Sequence, residues 1–439
     1  MIKVLILAYD FPPYVSVGGL RPYSWYEYFH EYNISPIVIT RQWDNKHGNY
    51  LDYVEISESK KTIIEETIKG KIIRTSYKPN LANKLLLKYG ERKFRFVRKL
   101  ISAFYEFAQW IIPIGPKLGL FYEAKNYLRY NNVDLIIATG DPFILFLYAN
   151  KLSKMFSTPW IADYRDPWTN GATIDKNRIL AFFLSFYEKK IIRTATAVIT
   201  VSDFFSTRIS RVVKRQNFNI IPNGYNPDVI SKCENVRQER NCLNIGFAGT
   251  ILEFETLIIF LETLNNYKKD HAQFNFKLNF YGTNRNEDLI ELLHNKYDYI
   301  SPYCFIYPKV NNDKLLPTLA KYNTLLLFNY HKSIGTKIYD YIALKRKIIF
   351  CFQIDNSQKR TSKSTIGSYS NSPQIELIKK TNSGIIVKNK EHLLEVLNDL
   401  YKEFSETGQI ACHSKDISEY SRKAQTEKLA NLIKSIVVK

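Results

Sequence analysis

The sequence predicts an α/β protein made of two tandem doubly wound, Rossmann-like domains. Three observations lead to this. The chain opens with an apolar strand, a glycine-bearing loop and room for a helix at residues 2–28, and the same unit restarts near residue 245. Short apolar runs alternate with helical stretches along most of the chain, the pattern of a mostly parallel sheet. A polar, charged stretch at 226–241 separates the two series. With 439 residues, each half is long enough to bury its own core.

In order, residues 2–9 (IKVLILAY) form the first buried strand, and DFPPYVSVGG leads from it to a Trp- and Tyr-rich helix. Residues 36–40 and 133–139 are further strands, with a polar region and then a basic aromatic segment, about 83–130, between them. Asp141 and Pro142 stand at the carboxyl end of the second of these. The strand at 159–162 precedes the charged run Asp163-Tyr-Arg-Asp-Pro-Trp168. A helix is expected at 178–194, then a strand at 197–201 ending in Ser202-Asp203, a helix cap. In the second half, strands are expected at 243–248, 276–280, 304–307, 324–328, 347–352 and 384–387. Helices are expected near 253–266, 337–344, 390–405 and 419–436. The expected domains are 1–225 and 242–415, with 416–439 as a terminal helical segment. Ligands of such sheets lie beyond the carboxyl ends of the strands, and two halves on one linker are expected to enclose a cleft.

Composition narrows the partners. The formal net charge is +20, and residues 60–129 carry sixteen Lys or Arg against five Asp or Glu, over half of the excess. The five cysteines are scattered with no CxxC, so neither a disulfide scaffold nor a zinc site is expected, which fits a reducing cytosol. No cleavage-like region follows the first strand and no apolar run is long enough to span a bilayer. The expected location is therefore cytoplasmic, with membrane contact only peripheral, on the inner face of the cell membrane. Residues 84–114 interleave Lys and Arg with Leu, Phe and Tyr, which suits an anionic membrane surface. Nothing beside them resembles a nucleic-acid module, so no nucleic-acid partner is expected.

Several segments could carry chemistry. Gly18-Gly19 allows close backbone approach to a ligand, or simply a tight loop. The charged run 163–168 either faces a sugar or phosphate or locks its own loop. Gly335-Thr336-Lys337 opens a helix, where free amides and a lysine can meet an anion, and Asp340 lies on the same face and could accept from ribose hydroxyls. An ordinary capped helix has the same pattern. Gly249-Thr250 and Gly282 place small residues at two strand ends in the same half and converge with 335–340 on one pocket. The histidines, His47 and His331 among them, form no triad.

Together these segments resemble the GT-B glycosyltransferases of the family 4 type, especially the bacterial cell-surface polysaccharide enzymes. The resemblance runs over nearly the whole chain: YDFPPYVSVGGLRP, WIADYRDPWT, VSDFF, IPNGYNPD, FAGT and GTKIYDYIALKRKII. The tail EYSRKAQTEKLANLI is similar to the closing helices of that group, which pack back on the first domain. The resemblance implies an acceptor-binding first half, a second half that binds a nucleotide-diphosphate sugar as co-substrate, and retention of anomeric configuration. It implies no tightly bound cofactor and no strict need for a metal. It places Gly18 and Gly19 under the donor phosphates and transferred sugar, and Gly249, Thr250, Gly335, Thr336 and Lys337 around the diphosphate. Asp340 stands where the family has the second Glu of its two-glutamate motif, which holds ribose.

The chain also departs from that pattern. Lys332 replaces the first Glu, Thr250 replaces an Arg, and Glu253, Phe254 and Glu255 occupy the segment where a Lys is usual. Lys337, with Lys332 or Lys309, is the candidate replacement for the lost charge on the leaving diphosphate. Asp166 and Asp141 are candidate catalytic carboxylates from their strand-end positions. The expected activity is transfer of a sugar to a lipid-linked or oligosaccharide acceptor. The alternatives are a degenerate nucleotide-sugar-binding subunit of a polysaccharide assembly complex and a GT-B nucleotide-sugar epimerase.

Overall fold

The computed structural model describes residues 1–14, 16–43, 50–169, 178–215, 217–252, 254–328, 334–352 and 372–438. His47, Glu253, His331 and Lys332 lie outside the described residues. The chain divides into two compact units, Met1–Asn223 with Arg422–Lys439, and Gly224–Ser421.

The first unit contains β1 (Ile2–Leu7), β2 (Ile34–Arg41), β3 (Ile63–Thr67), β4 (Gly70–Thr75), β5 (Leu135–Gly140), β6 (Trp160–Tyr164), β7 (Ala197–Thr200) and β8 (Asn219–Ile220). They form one sheet in the order β3-β4-β2-β1-β5-β6-β7-β8. The neighbours pair in parallel except β3 with β4. Both faces are covered, so alternate residues of one strand enter different cores. Leu5 and Leu7 pack on one side, and Val4 and Ile6 on the other with Trp25 and Phe29. Leu429, Ala430 and Ile433 of the Arg422–Val437 helix join this second core.

The β3–β4 hairpin corrects the expectation of a polar region after β2. β3 is an edge strand with most of its side chains exposed, so it has no apolar run to reveal it. A second correction concerns Gly18 and Gly19, which lie inside the first turn of the Val17–Tyr28 helix and not in the loop before it. Ser16 caps that helix, its hydroxyl accepting from the Gly18 amide at 3.0 Å.

Two residues of the charged run 163–168 are structural. Asp163 belongs to β6 and is fully buried. Arg21 Nε donates to both its oxygens at 3.0 and 3.2 Å, and Thr139 Oγ1 donates at 2.8 Å. The Arg21 guanidinium also donates to the Ile221 and Pro222 carbonyls at 2.8 and 3.1 Å. Arg165 Nε donates to the Gly140 carbonyl at 2.8 Å, and Nη2 donates to that of Asp141.

Glu188, on the Arg178–Ile192 helix, anchors the end of the same loop. It accepts from Tyr164 Oη at 3.0 Å, from the Thr169 amide at 3.2 Å and from Thr169 Oγ1. Burial pushes its carboxyl up to about 7 despite these donors. In the unfolded chain it loses its proton near 4.5, before the folded chain does. Its contribution to stability is therefore complete below that pH and is lost as pH rises toward 7, an effect on the order of a few kcal/mol. Glu188→Gln should flatten the decline of stability between pH 5 and 8, measured by denaturant unfolding. Parallel pH profiles for the two proteins would refute this.

The second unit contains β9 (Leu243–Ala248), β10 (Phe276–Tyr281), β11 (Cys304–Tyr307), β12 (Thr324–Phe328), β13 (Lys347–Cys351) and β14 (Gly384–Val387). The order is β11-β10-β9-β12-β13-β14, with parallel pairing throughout. Leu243, Ile245 and Phe247 enter the core with Phe260 and Leu264, while Leu325, Ile348 and Phe350 enter the opposite one with Ile338 and Ile342. All five cysteines are free.

Candidate active site

In a doubly wound sheet the strand order reverses once, and the loops leaving the two strands at that point diverge and leave a crevice. In the second unit the reversal falls between β9 and β12. Gly249 follows β9 with φ +115°, and Gly282 follows the neighbouring β10 with φ +59°, conformations that disfavour a side chain. The register pairs Tyr281 with Ala248, so the two glycines sit side by side at adjacent strand ends.

Lysines stand beside both glycines. A β-carbon on Gly249 would lie 3.8 Å from Lys337 Cγ, and one on Gly282 would lie 3.1–3.4 Å from Lys309. Lys337 Nζ donates to Asn312 Oδ1 at 3.0 Å and lies 3.7 Å from Asp340 Oδ2. The Lys337–Ala343 helix is fastened beneath β9 by Tyr341, whose hydroxyl accepts from the Ala248 amide at 2.7 Å. The sequence therefore folds so that Gly249, Gly282, Lys309, Asn312 and Lys337 gather at one end of the sheet. This arrangement suits an anion that needs bare backbone and two cations.

The other predicted residues of this unit are placed unevenly. Asp340 is buried next to Lys337. Thr250 and Gly335 are exposed, and a β-carbon on Gly335 would meet open space. Thr336 precedes the helix, but its side chain makes no capping bond. In the segment where the resemblance implies a lysine, Arg285 stacks its guanidinium over Phe254, 3.8 Å from the ring centre, and pairs with Asp288 at 2.5 Å. A cation does stand beside that segment, supplied from after β10.

In the first unit the reversal falls between β1 and β5, at Asp10 and Asp141. Gly18 and Gly19 are closely packed by the chain itself. A β-carbon on Gly18 would collide with Arg165 Nη1 and Asp10 Oδ2, and one on Gly19 would lie 3.3 Å from the Asp10 carbonyl. Ser16 Oγ donates to Asp10 Oδ2 at 2.7 Å, whereas Asp10 Oδ1 is buried without a hydrogen-bond partner.

Sequence reasoning missed Asp10, Glu106 and Lys117, which share this end of the sheet with Asp141 and Asp166. Lys117 Nζ lies 5.3 Å from the centre of the Tyr9 ring. Burial lowers its pKa, and Asp141, Glu106 and Asp10 oppose that. Burial raises the Asp10 carboxyl, with Ser16 and Arg165 opposing. Asp166 is exposed, yet the protein around it raises its pKa, Arg165 opposing and Asp141 adding to the rise. Desolvation raises the Glu106 carboxyl as well, with Lys117 opposing and Asp141 adding to the rise. Asp10 was legible, since it follows β1 directly. Lys117 was hidden among sixteen cations of similar appearance. Among the described residues no group of three His, Cys, Asp or Glu side chains is arranged to hold a metal ion.

No family model matches the chain, and no curated protein matches it significantly in sequence. Solved structures do match its fold over the full length. Sucrose-phosphate synthase from Thermosynechococcus elongatus aligns with a TM-score of 0.54 at 14% identity, over 100% of this chain and 97% of that one. Anabaena HepE in complex with UDP-glucose aligns at 0.54 and 12%, over 99% and 100%. An α,α-trehalose-phosphate synthase (UDP-forming) from Burkholderia vietnamiensis aligns at 0.60 and 8%, over 100% of both chains. The fold is that of these proteins, two tandem Rossmann-like domains of the GT-B type.

Proposed function

We propose that the chain is a glycosyltransferase of the family 4 type, which moves a sugar from a nucleotide-diphosphate donor to a lipid-linked or oligosaccharide acceptor with retention of configuration. The product would be a cell-surface polysaccharide of the capsule or lipopolysaccharide kind. The observation that carries this reading is the gathering of Gly249, Gly282, Lys309 and Lys337 at the strand reversal of the second unit. The full-length likeness to HepE, a protein solved with UDP-glucose, supports the donor class.

Residues 242–415 would bind the donor and residues 1–225 the acceptor. Gly249 and Gly282 admit the diphosphate to the backbone, and Asp340 accepts from the ribose. Lys337 is the principal counter-charge as the sugar–phosphate bond breaks and charge develops on the departing diphosphate. In the retaining course the departing phosphate takes the acceptor's hydroxyl proton, with Asp141 and Asp166 as alternative proton acceptors. Residues 84–114 would hold the enzyme on the inner face of the cell membrane, near a lipid-linked acceptor. Among the described residues no helix is long and apolar enough to cross a membrane.

One observation favours a second reading. Thr250 is an exposed, uncharged residue where the resemblance implies an arginine, which suits a subunit that binds nucleotide sugar without turning it over. Incubating the protein with a panel of nucleotide sugars and a membrane lipid extract, with products followed by mass, separates the two. Transfer to lipid or oligosaccharide supports the enzyme. Tight nucleotide binding without turnover across the panel supports the subunit, and nucleotide-sugar inversion or hydrolysis without an acceptor supports an epimerase.

A further inference from the structure

Two helices of the first unit display large apolar side chains to solvent. On the Arg95–Ala108 helix Phe96, Leu100 and Phe104 recur every fourth residue, which puts them on one face, and Phe96 is 72% exposed. On the Arg178–Ile192 helix Phe182 and Phe186 share the same spacing, and Phe182 is 81% exposed. These helices are some eighty residues apart in sequence, yet they pack together. Phe107, near the end of the first, has its ring 5.0 Å from that of Phe183, and Trp110 just beyond is 5.9 Å from Tyr187. The exposed phenylalanines therefore belong to adjoining elements.

The charge around them has one dominant sign. Arg92, Lys93, Arg95 and Lys99 are exposed along the first helix and its approach. Lys189, Lys190 and Arg193 are exposed at the end of the second, whose single carboxylate, Glu188, is buried beneath the loop it anchors. Interfaces between proteins are depleted of lysine at their apolar centres. Phenylalanine and leucine bordered by Lys and Arg is the pattern that enters the headgroup layer of an anionic bilayer.

We propose that the two helices form a single docking face for an anionic lipid bilayer, with Phe182 and Phe186 entering the membrane beside Phe96, Leu100 and Phe104. This rests on the membrane reading of residues 84–114 and adds to it a second, distant helix without which the face is incomplete. The second helix also explains an otherwise costly arrangement, two solvent-facing phenylalanines one turn apart on a helix whose other face is already packed.

Flotation with vesicles of phosphatidylcholine, with and without phosphatidylglycerol, tests the proposal on the full chain. The wild type should float with the anionic vesicles and not with the neutral ones. The double variant Phe182→Ser/Phe186→Ser should bind the anionic vesicles at least about tenfold more weakly, because two buried aromatic side chains are lost from the bilayer. Lys189→Glu/Lys190→Glu should weaken binding in the same direction. All four positions are exposed, so folding is expected to persist and is checked by circular dichroism. If Phe96→Ser/Phe104→Ser abolishes flotation while Phe182→Ser/Phe186→Ser floats like the wild type, the second helix is not part of the face and the inference fails, while the reading of 84–114 stands. If the wild type ignores anionic vesicles, or self-associates through these side chains instead, both fail.

Discussion

Replacing Arg21 with methionine is expected to destabilise the first unit by about 3–5 kcal/mol, because it leaves the buried Asp163 carboxylate without its cation. Arg21 and Asp163 are 7% and 0% exposed, and two carbonyls after β8 also depend on the guanidinium. Methionine can neither donate nor neutralise. For a unit of this size the loss corresponds to a fall in melting temperature of roughly 6–20 °C. Calorimetry of wild type and Arg21→Met, in which the two units can melt separately, is the measurement. A shift of less than about 1 kcal/mol would mean that the pair behaves like an exposed ion pair. Arg21→Lys should recover only part of the loss, because an ammonium cannot engage both carboxylate oxygens and two carbonyls at once.

The second large effect is expected at Lys337. Its side chain is partly exposed and passes Gly249, and among the described residues its ammonium meets the Asn312 amide oxygen at 3.0 Å and the Asp340 carboxylate at 3.7 Å. If it faces the donor diphosphate, Lys337→Ala removes a charge-assisted hydrogen bond, and nucleoside-diphosphate affinity should fall about 10- to 100-fold. Titration calorimetry with the nucleoside diphosphate that the wild type binds measures this, and a thermal melt confirms that the variant is folded. Unchanged affinity would refute the phosphate assignment and move attention to Lys309. Turnover should fall further than binding if the charge on the departing group is the main thing Lys337 stabilises.

The candidate site was only partly legible in the sequence. Gly249, Gly282 and Lys337 each follow or open a recognisable element, so they could be placed at strand and helix ends from local pattern alone. Lys309 was visible as a cation but not as the neighbour of Gly282, because that proximity depends on β11 lying next to β10. The charged run 163–168 has the composition of a binding loop. Asp163 instead points inward from β6 to an arginine 142 residues earlier. Gly18 and Gly19 looked like room for a ligand, and the structure shows Arg165 and Asp10 filling the space above Gly18.

What the sequence determined by itself was the doubly wound α/β character, the strands of both sheets apart from the β3–β4 hairpin and the short β8, and the concentration of positive charge in residues 60–129. These are local properties: apolar runs bounded by glycine and polar residues specify strands wherever they occur. The tertiary structure alone decided which charges are buried as structural partners and which stay partly exposed at a strand end, and that the Arg95–Ala108 and Arg178–Ile192 helices, distant in sequence, pack against each other. Those outcomes depend on strand order and helix packing, which bring together side chains that no spacing along the chain connects.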